Sequence, residues 1–101
     1  MKWERGLFDI ALRHGIYADG RTTVPLEGFL NEERTFALFL RGGFIEVTHI
    51  PSGQRIATTS SLASADRIVV QLHDMAIDWT KADLAFTEVE YVTIHAVLQQ
   101  T

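Results

Sequence analysis

The side chains that could do chemistry in this sequence are four histidines, a pair of carboxylates four residues apart, and a run of serines. The histidines are His14, His49, His73 and His95, and none stands three to five residues from another. Helical metal pairs need that spacing to bring two imidazoles onto one face. The only carboxylate beside a histidine is Asp74, next to His73, and neighbours on a helix point about 100° apart. Asp74 and Asp78 share a polar stripe, with Cβ atoms within roughly 6 Å of each other. Such a pair could serve acid–base hydrolysis or hold magnesium. A solvated stripe has no apolar wall to raise a carboxylate pKa, and no further ligand converges there. The serines cluster at 60, 61 and 64, where helix capping accounts for them, and no Gly-x-Ser-x-Gly elbow occurs. The glycines fit neither phosphate-binding pattern, and Gly42-Gly43 reads as a hairpin turn. No catalytic, cofactor-binding or metal-ligating residues are therefore expected. A metal-assisted hydrolase built on His73, Asp74 and Asp78 stands only as the third reading.

Composition narrows the classes further. The chain has 101 residues and no cysteine, which removes disulfides, thiolate chemistry and Cys-based metal sites. At this length one domain is expected, spanning residues 1–101. No apolar run approaches the roughly 18 residues of a membrane span, and the first residues lack a signal peptide's apolar stretch. A soluble, cytoplasmic protein without membrane contact is expected. The net charge of −4 argues against direct nucleic-acid binding. That charge is uneven. Residues 1–65 are neutral, whereas residues 66–101 carry Arg67 and Lys81 against Asp66, Asp74, Asp78, Asp83, Glu88 and Glu90. An acidic lobe favours partners with a basic surface and speeds their encounter.

The elements that would position these residues follow from periodicity. Arg34 to Arg41 is apolar on both alternating faces, the pattern of a strand covered on both sides. Gly42-Gly43 then supplies a two-residue turn, residues 43–50 a second strand, Pro51-Ser52-Gly53 a tight turn, and Gln54 to Ser60 a third strand. Ser60-Ser61 would cap a long helix over 62–78, whose apolar residues Leu62, Ala65, Val69, Leu72, Ala76 and Trp79 recur at helical spacing. Trp3, Leu7, Ile10 and Ala11 predict an N-terminal helix stopped by Gly15. Pro25 would start a short helical turn over 26–33. The tail from Thr87 reads as a helix, with a strand as the competing reading. The expected fold is α+β: a three-stranded antiparallel meander packed against a long amphipathic helix, with an N-terminal helix and a C-terminal helix or strand.

One surface argument comes from that helix. Val70, His73 and Ile77 widen its apolar side to roughly 220°, where one sheet face covers little more than 100°. Those three residues are the candidate self-association surface of a homodimeric structural or regulatory subunit.

The segments His49-Ile-Pro-Ser-Gly-Gln-Arg-Ile56, Leu62-Ala-Ser-Ala-Asp66 and Ile77-Asp78-Trp79 resemble small phage, prophage and plasmid accessory proteins, over roughly a third of the chain. The chain is also similar to the general anti-CRISPR type: small, acidic, cysteine-free and without catalytic motifs. That resemblance implies a non-enzymatic inhibitor acting by stoichiometric blockade of a CRISPR or other nuclease effector. Asp74, Asp78, Asp83, Glu88 and Glu90 would stand in for phosphates on the partner's basic channel. Trp79 and Tyr91 would be apolar anchors that slow dissociation.

Overall fold

The computed structural model describes residues 2–11 and 23–81, together with Ala96 and Leu98. Five strands, β1 (Trp3–Ala11), β2 (Thr23–Asn31), β3 (Phe36–Arg41), β4 (Phe44–His49) and β5 (Gln54–Thr59), form one antiparallel sheet in sequential order, followed by the helix α1 (Leu62–His73). The expectation of a three-stranded meander packed on a long helix between terminal helices is overturned. Residues 34–60 supply three strands, but to a sheet of five that dominates the fold.

The largest correction is at the N-terminus, where β1 replaces the expected helix. Nine consecutive residues pair with β2, from Trp3↔Asn31 to Ala11↔Thr23. The helical template placed Leu7 on the apolar side, whereas the strand buries Phe8 and leaves Leu7 70% exposed. Residues 26–33, expected as a helical turn, belong instead to β2 and the turn that follows it. Neither stretch shows this pairing locally, because each strand exists through the other. The tail from Thr87 lies outside the described residues except for Ala96 and Leu98, both in helical conformation.

β3 carries the packing on both faces. Phe36 and Leu38 point toward α1 and join Ile45, Val47, Ala65, Ile68, Val69, Leu72 and Trp79 in the first core. Ala37 points the other way and joins Phe8 and Leu30 in a second core, with Ile10, Leu26, Phe39 and Ile50 packed against it. This division follows the alternation of the sequence, in which neither set of side chains is polar.

Turn chemistry fixes the register. Gly42 and Gly43 have φ of 58° and 86°, the positive values that a two-residue hairpin turn demands at both central positions. Between β2 and β3 the buried Asn31 replaces a piece of backbone. Its Oδ1 accepts the N–H groups of Thr35 at 2.9 Å and Phe36 at 3.0 Å, and its Nδ2 donates to the Thr35 hydroxyl at 2.8 Å. At β4–β5 the Gly53 N–H donates to the His49 carbonyl at 2.9 Å.

The helix is also shorter than expected, ending at His73 rather than near residue 78. Its start is as expected, with the Ser61 hydroxyl accepting the N–H of Ser64 at 3.1 Å. Beyond Asp74 the chain turns back, and Trp79 reaches the core from outside the helix. Its indole N–H donates to the Leu72 carbonyl at 2.8 Å, a second bond to an oxygen that already accepts the Met75 N–H at 3.1 Å. The spacing that placed Trp79 on the apolar stripe thus reflects a shared destination, not a continuous helix.

Candidate functional site

The end of α1 and the β2–β3 turn meet at one end of the sheet. Glu32 and Glu33 lie in that turn, Asp74 caps the helix, and all three are exposed. His73 Nε2 stands 3.9 Å from Glu33 Oε1, so the turn meets the helix end across forty residues of sequence. Asp78 follows in the exposed segment after the helix. It accepts the N–H and the hydroxyl of Thr80. The Thr80 hydroxyl, then its N–H, hold the Asp78 carboxyl below the usual carboxylate range, with Lys81 adding a smaller pull the same way. It is therefore ionised throughout the neutral range.

Among the described residues, the arginines of the sheet and its turns are engaged elsewhere. Arg5 Nε lies 3.1 Å from Glu27, Arg34 3.2 Å from Glu4, and Arg55 2.9 Å from Glu46, with Arg41 at 3.9 Å from the same carboxylate. Arg5 and Arg34 are each matched by one carboxylate, while Arg41 and Arg55 share Glu46. Among the described residues no arginine pairs with Glu32, Glu33, Asp74 or Asp78. Sequence reasoning singled out Asp74 and Asp78 as one helical polar stripe, which the helix end at His73 breaks: Asp74 is the cap and Asp78 lies beyond it. That reasoning missed Glu32 and Glu33, because the contact that brings their turn to the helix end is set by the meander and not by spacing.

The other predicted residues are placed differently. Trp79, expected as an exposed anchor, is buried in the first core, its ring centroid 5.1 Å from that of Phe36 and 5.7 Å from that of His49. It is not presented to a partner. Ile77, expected on an open helix face, lies beyond the helix end and packs partly buried against the same core. Val70 is half-buried, and His73 is exposed facing Glu33. The wide apolar arc that motivated a helical self-association surface therefore breaks up: its far member is off the helix and folded onto the chain itself. Asp83, Glu88, Glu90 and Tyr91 lie outside the described residues.

A second polar constellation was not anticipated. His49, 1% exposed at the end of β4, donates from Nε2 to the Trp79 carbonyl at 2.6 Å. A carbonyl only accepts, so that nitrogen carries the proton and Nδ1 accepts from the Ser52 hydroxyl at 2.7 Å. A serine on a histidine oriented by a third group has the outline of a nucleophile and its base. The supporting groups are otherwise engaged. The Gln54 N–H donates to Ser52 Oγ, and the Gly53 N–H is taken by the carbonyls of His49 and Ile50. Neither is aimed at a developing oxyanion. The network instead ties the β4–β5 turn to the segment carrying Asp78 and Trp79. Burial pushes the His49 imidazole below its ordinary pKa, with the Trp79 carbonyl pulling weakly the other way.

Among the described residues no group of three or more His, Asp or Glu side chains could hold a metal ion, and no helix is long and apolar enough to cross a membrane. No protein-family model, no curated protein and no solved structure matches the chain.

Proposed function

We propose that the protein is a non-enzymatic binding module. In this reading it is a small cytoplasmic inhibitor that occupies a basic, nucleic-acid-binding surface of a host enzyme or effector complex, in the manner of anti-CRISPR proteins. The observation that carries the reading is the contact of Glu33 with His73, which sets the turn bearing Glu32 and Glu33 against the end of α1, where Asp74 and then Asp78 follow in the chain. Carboxylates that outnumber the cation beside them, Lys81, project a field that complements a phosphate-binding channel. Such a field acts mainly on the encounter rate and on partner choice. Affinity must come from further contacts around it.

The test compares the protein with a variant carrying Glu32→Gln, Glu33→Gln, Asp74→Asn and Asp78→Asn. All four sites are exposed, and circular dichroism checks that the fold survives. Each is immobilised and challenged with cytoplasm from the cell that carries the gene. Nucleic-acid-binding proteins should be retained by the parent, lost from the variant, and displaced by duplex DNA or by about 0.5 M salt, where screening reaches within a few ångström. Equal retention on both forms, or capture indifferent to salt and DNA, would sink the reading.

A further inference from the structure

β1 is an end strand of the sheet: the curl of the sheet brings β5 near it, but among the described residues no strand hydrogen-bonds to its outer side. Its start is held against α1 by Trp3, whose indole donates to Asp66 Oδ1 at 3.0 Å. Beyond that anchor stand Arg5, Leu7 and Asp9, alternate residues whose side chains share one face. Leu7 is 70% exposed, the Arg5 side chain 77%. Soluble proteins usually blunt such an edge with proline, lysine or a bulge. The stretch Trp3–Ala11 contains no proline and no lysine, and its nine pairs with β2 run without a register shift.

The ladder itself tells which groups face outward. Asp9 is paired with Pro25, which has no N–H to give β1. Asp9↔Pro25 therefore falls at a non-hydrogen-bonded position, where both residues turn their N–H and C=O groups away from each other. By alternation, Arg5 and Leu7 also turn theirs to the open edge, along with Asp9. Arg5, Leu7 and Asp9 thus carry the side chains of one face and the hydrogen-bonding groups that turn outward.

We propose that this edge joins two copies of the chain, their β1 strands pairing antiparallel about a two-fold axis through Leu7. In that register Leu7 meets Leu7 of the second copy, while Arg5 faces Asp9 and Asp9 faces Arg5. One apolar contact on the axis is flanked by two ion pairs that the symmetry relates to each other. Competing registers are worse. A slip by two residues sets a charge against Leu7, and a slip by four sets Arg5 against Arg5 or Asp9 against Asp9. A slip by one residue mismatches the outward N–H and C=O groups. The existing Arg5–Glu27 pair is exposed on both partners and gives way readily, or is shared. The surface is distinct from the helix face, and the proposal does not depend on what the acidic end binds.

The test is the oligomeric state of the purified chain by analytical ultracentrifugation between about 1 µM and 1 mM. The parent should dimerise with concentration. Arg5→Asp and Asp9→Arg should each weaken dimerisation at least tenfold, since each sets like charges together at both ends of the interface. Mixing the two variants in equal amounts should restore a dimer, because each supplies the charge the other lost. Restoration also shows that neither variant failed to fold. A parent that stays monomeric over the whole range overturns the proposal, as does a dimer that both single variants retain, or a mixture that stays monomeric.

Discussion

At the scale of single residues, the most consequential side chain is His49. Both ring nitrogens are committed, one as donor to Trp79 and one as acceptor from Ser52, and that pattern exists only for the neutral ring. Protonation would place a second N–H against a hydroxyl now donating and would leave a charge between the Phe36 and Trp79 rings. The folded-state pKa accordingly lies below the ordinary 6.5. The sign of the linkage follows. The unfolded chain binds this proton more readily, so the contribution is whole above pH 6.5 and is lost as pH falls from there toward the lower native value. Asp78 shifts in the same direction but from 3.8, so its effect begins in a separate, more acidic window. Urea denaturation at pH 7.5 and pH 5 should show the parent less stable at the lower pH. A His49→Gln variant should be destabilised at both and lose most of that difference. An unchanged difference would place the titration elsewhere. Nothing in the sequence pointed to this role. His49 follows a strand of alternating character, and its partner Trp79 is thirty residues away.

At the scale of elements, what local pattern could reach and what it could not separate cleanly. Residues 34–60 were legible because turn and strand are specified together: two glycines with positive φ, a Pro-Ser-Gly turn, and β-branched runs between them. β1 was not, because its identity as a strand depends on β2, and the spacing of Leu7, Ile10 and Ala11 satisfies a helical template equally well. Asp74 and Asp78 were legible as exposed carboxylates but not as a helical stripe, because α1 ends at His73, and the approach of Glu33 to His73 depends on a contact between the β2–β3 turn and the helix end. Gly28 makes the non-local constraint concrete. β2 pairs with β3 only at Phe29↔Leu38 and Leu30↔Ala37, and a Cβ on Gly28 would lie 2.3 Å from the Leu38 carbonyl oxygen and 2.9 Å from the Phe8 ring. The first obstacle is backbone and cannot step aside. Gly28→Ala should therefore destabilise the fold by about 2–4 kcal/mol, despite the general preference of strands for residues other than glycine. Gly6 offers a control. A Cβ there meets only the Leu30 side chain at 3.1 Å, so Gly6→Ala should cost less. Thermal melts of the two variants check the order, and equal losses would deny that β2 is pinched at Gly28.

At the scale of the whole molecule, β3 is the element that makes the two cores one cooperative unit. Its Phe36 and Leu38 sit under α1, its Ala37 sits in the core built by the β1–β2 hairpin, and consecutive residues of one strand cannot melt separately. The alternative is a modular molecule in which the hairpin opens while the helix stays docked. Phe8 and the tryptophans distinguish the two. Phe8 belongs to the second core, whereas Trp79 is buried in the first; Trp3 lies on β1 itself, so a Trp3→Phe background leaves Trp79 as the indole that reports on the region Phe8 does not touch. Phe8→Ala removes a ring that is 4% exposed and should cost about 3–5 kcal/mol, a large share of the roughly 5–15 kcal/mol that holds a domain of this size. If β3 couples the cores, the fluorescence transition in urea must move to lower denaturant by the full amount and coincide with the loss of far-ultraviolet circular dichroism. A fluorescence midpoint left in place while part of the sheet signal disappears early would mean that the hairpin is an independent unit. Such independence would also bear on the β1 edge, because a pairing surface carried by a separately melting hairpin could not add stability to the helix and the acidic end. A cooperative β3 transmits it to both.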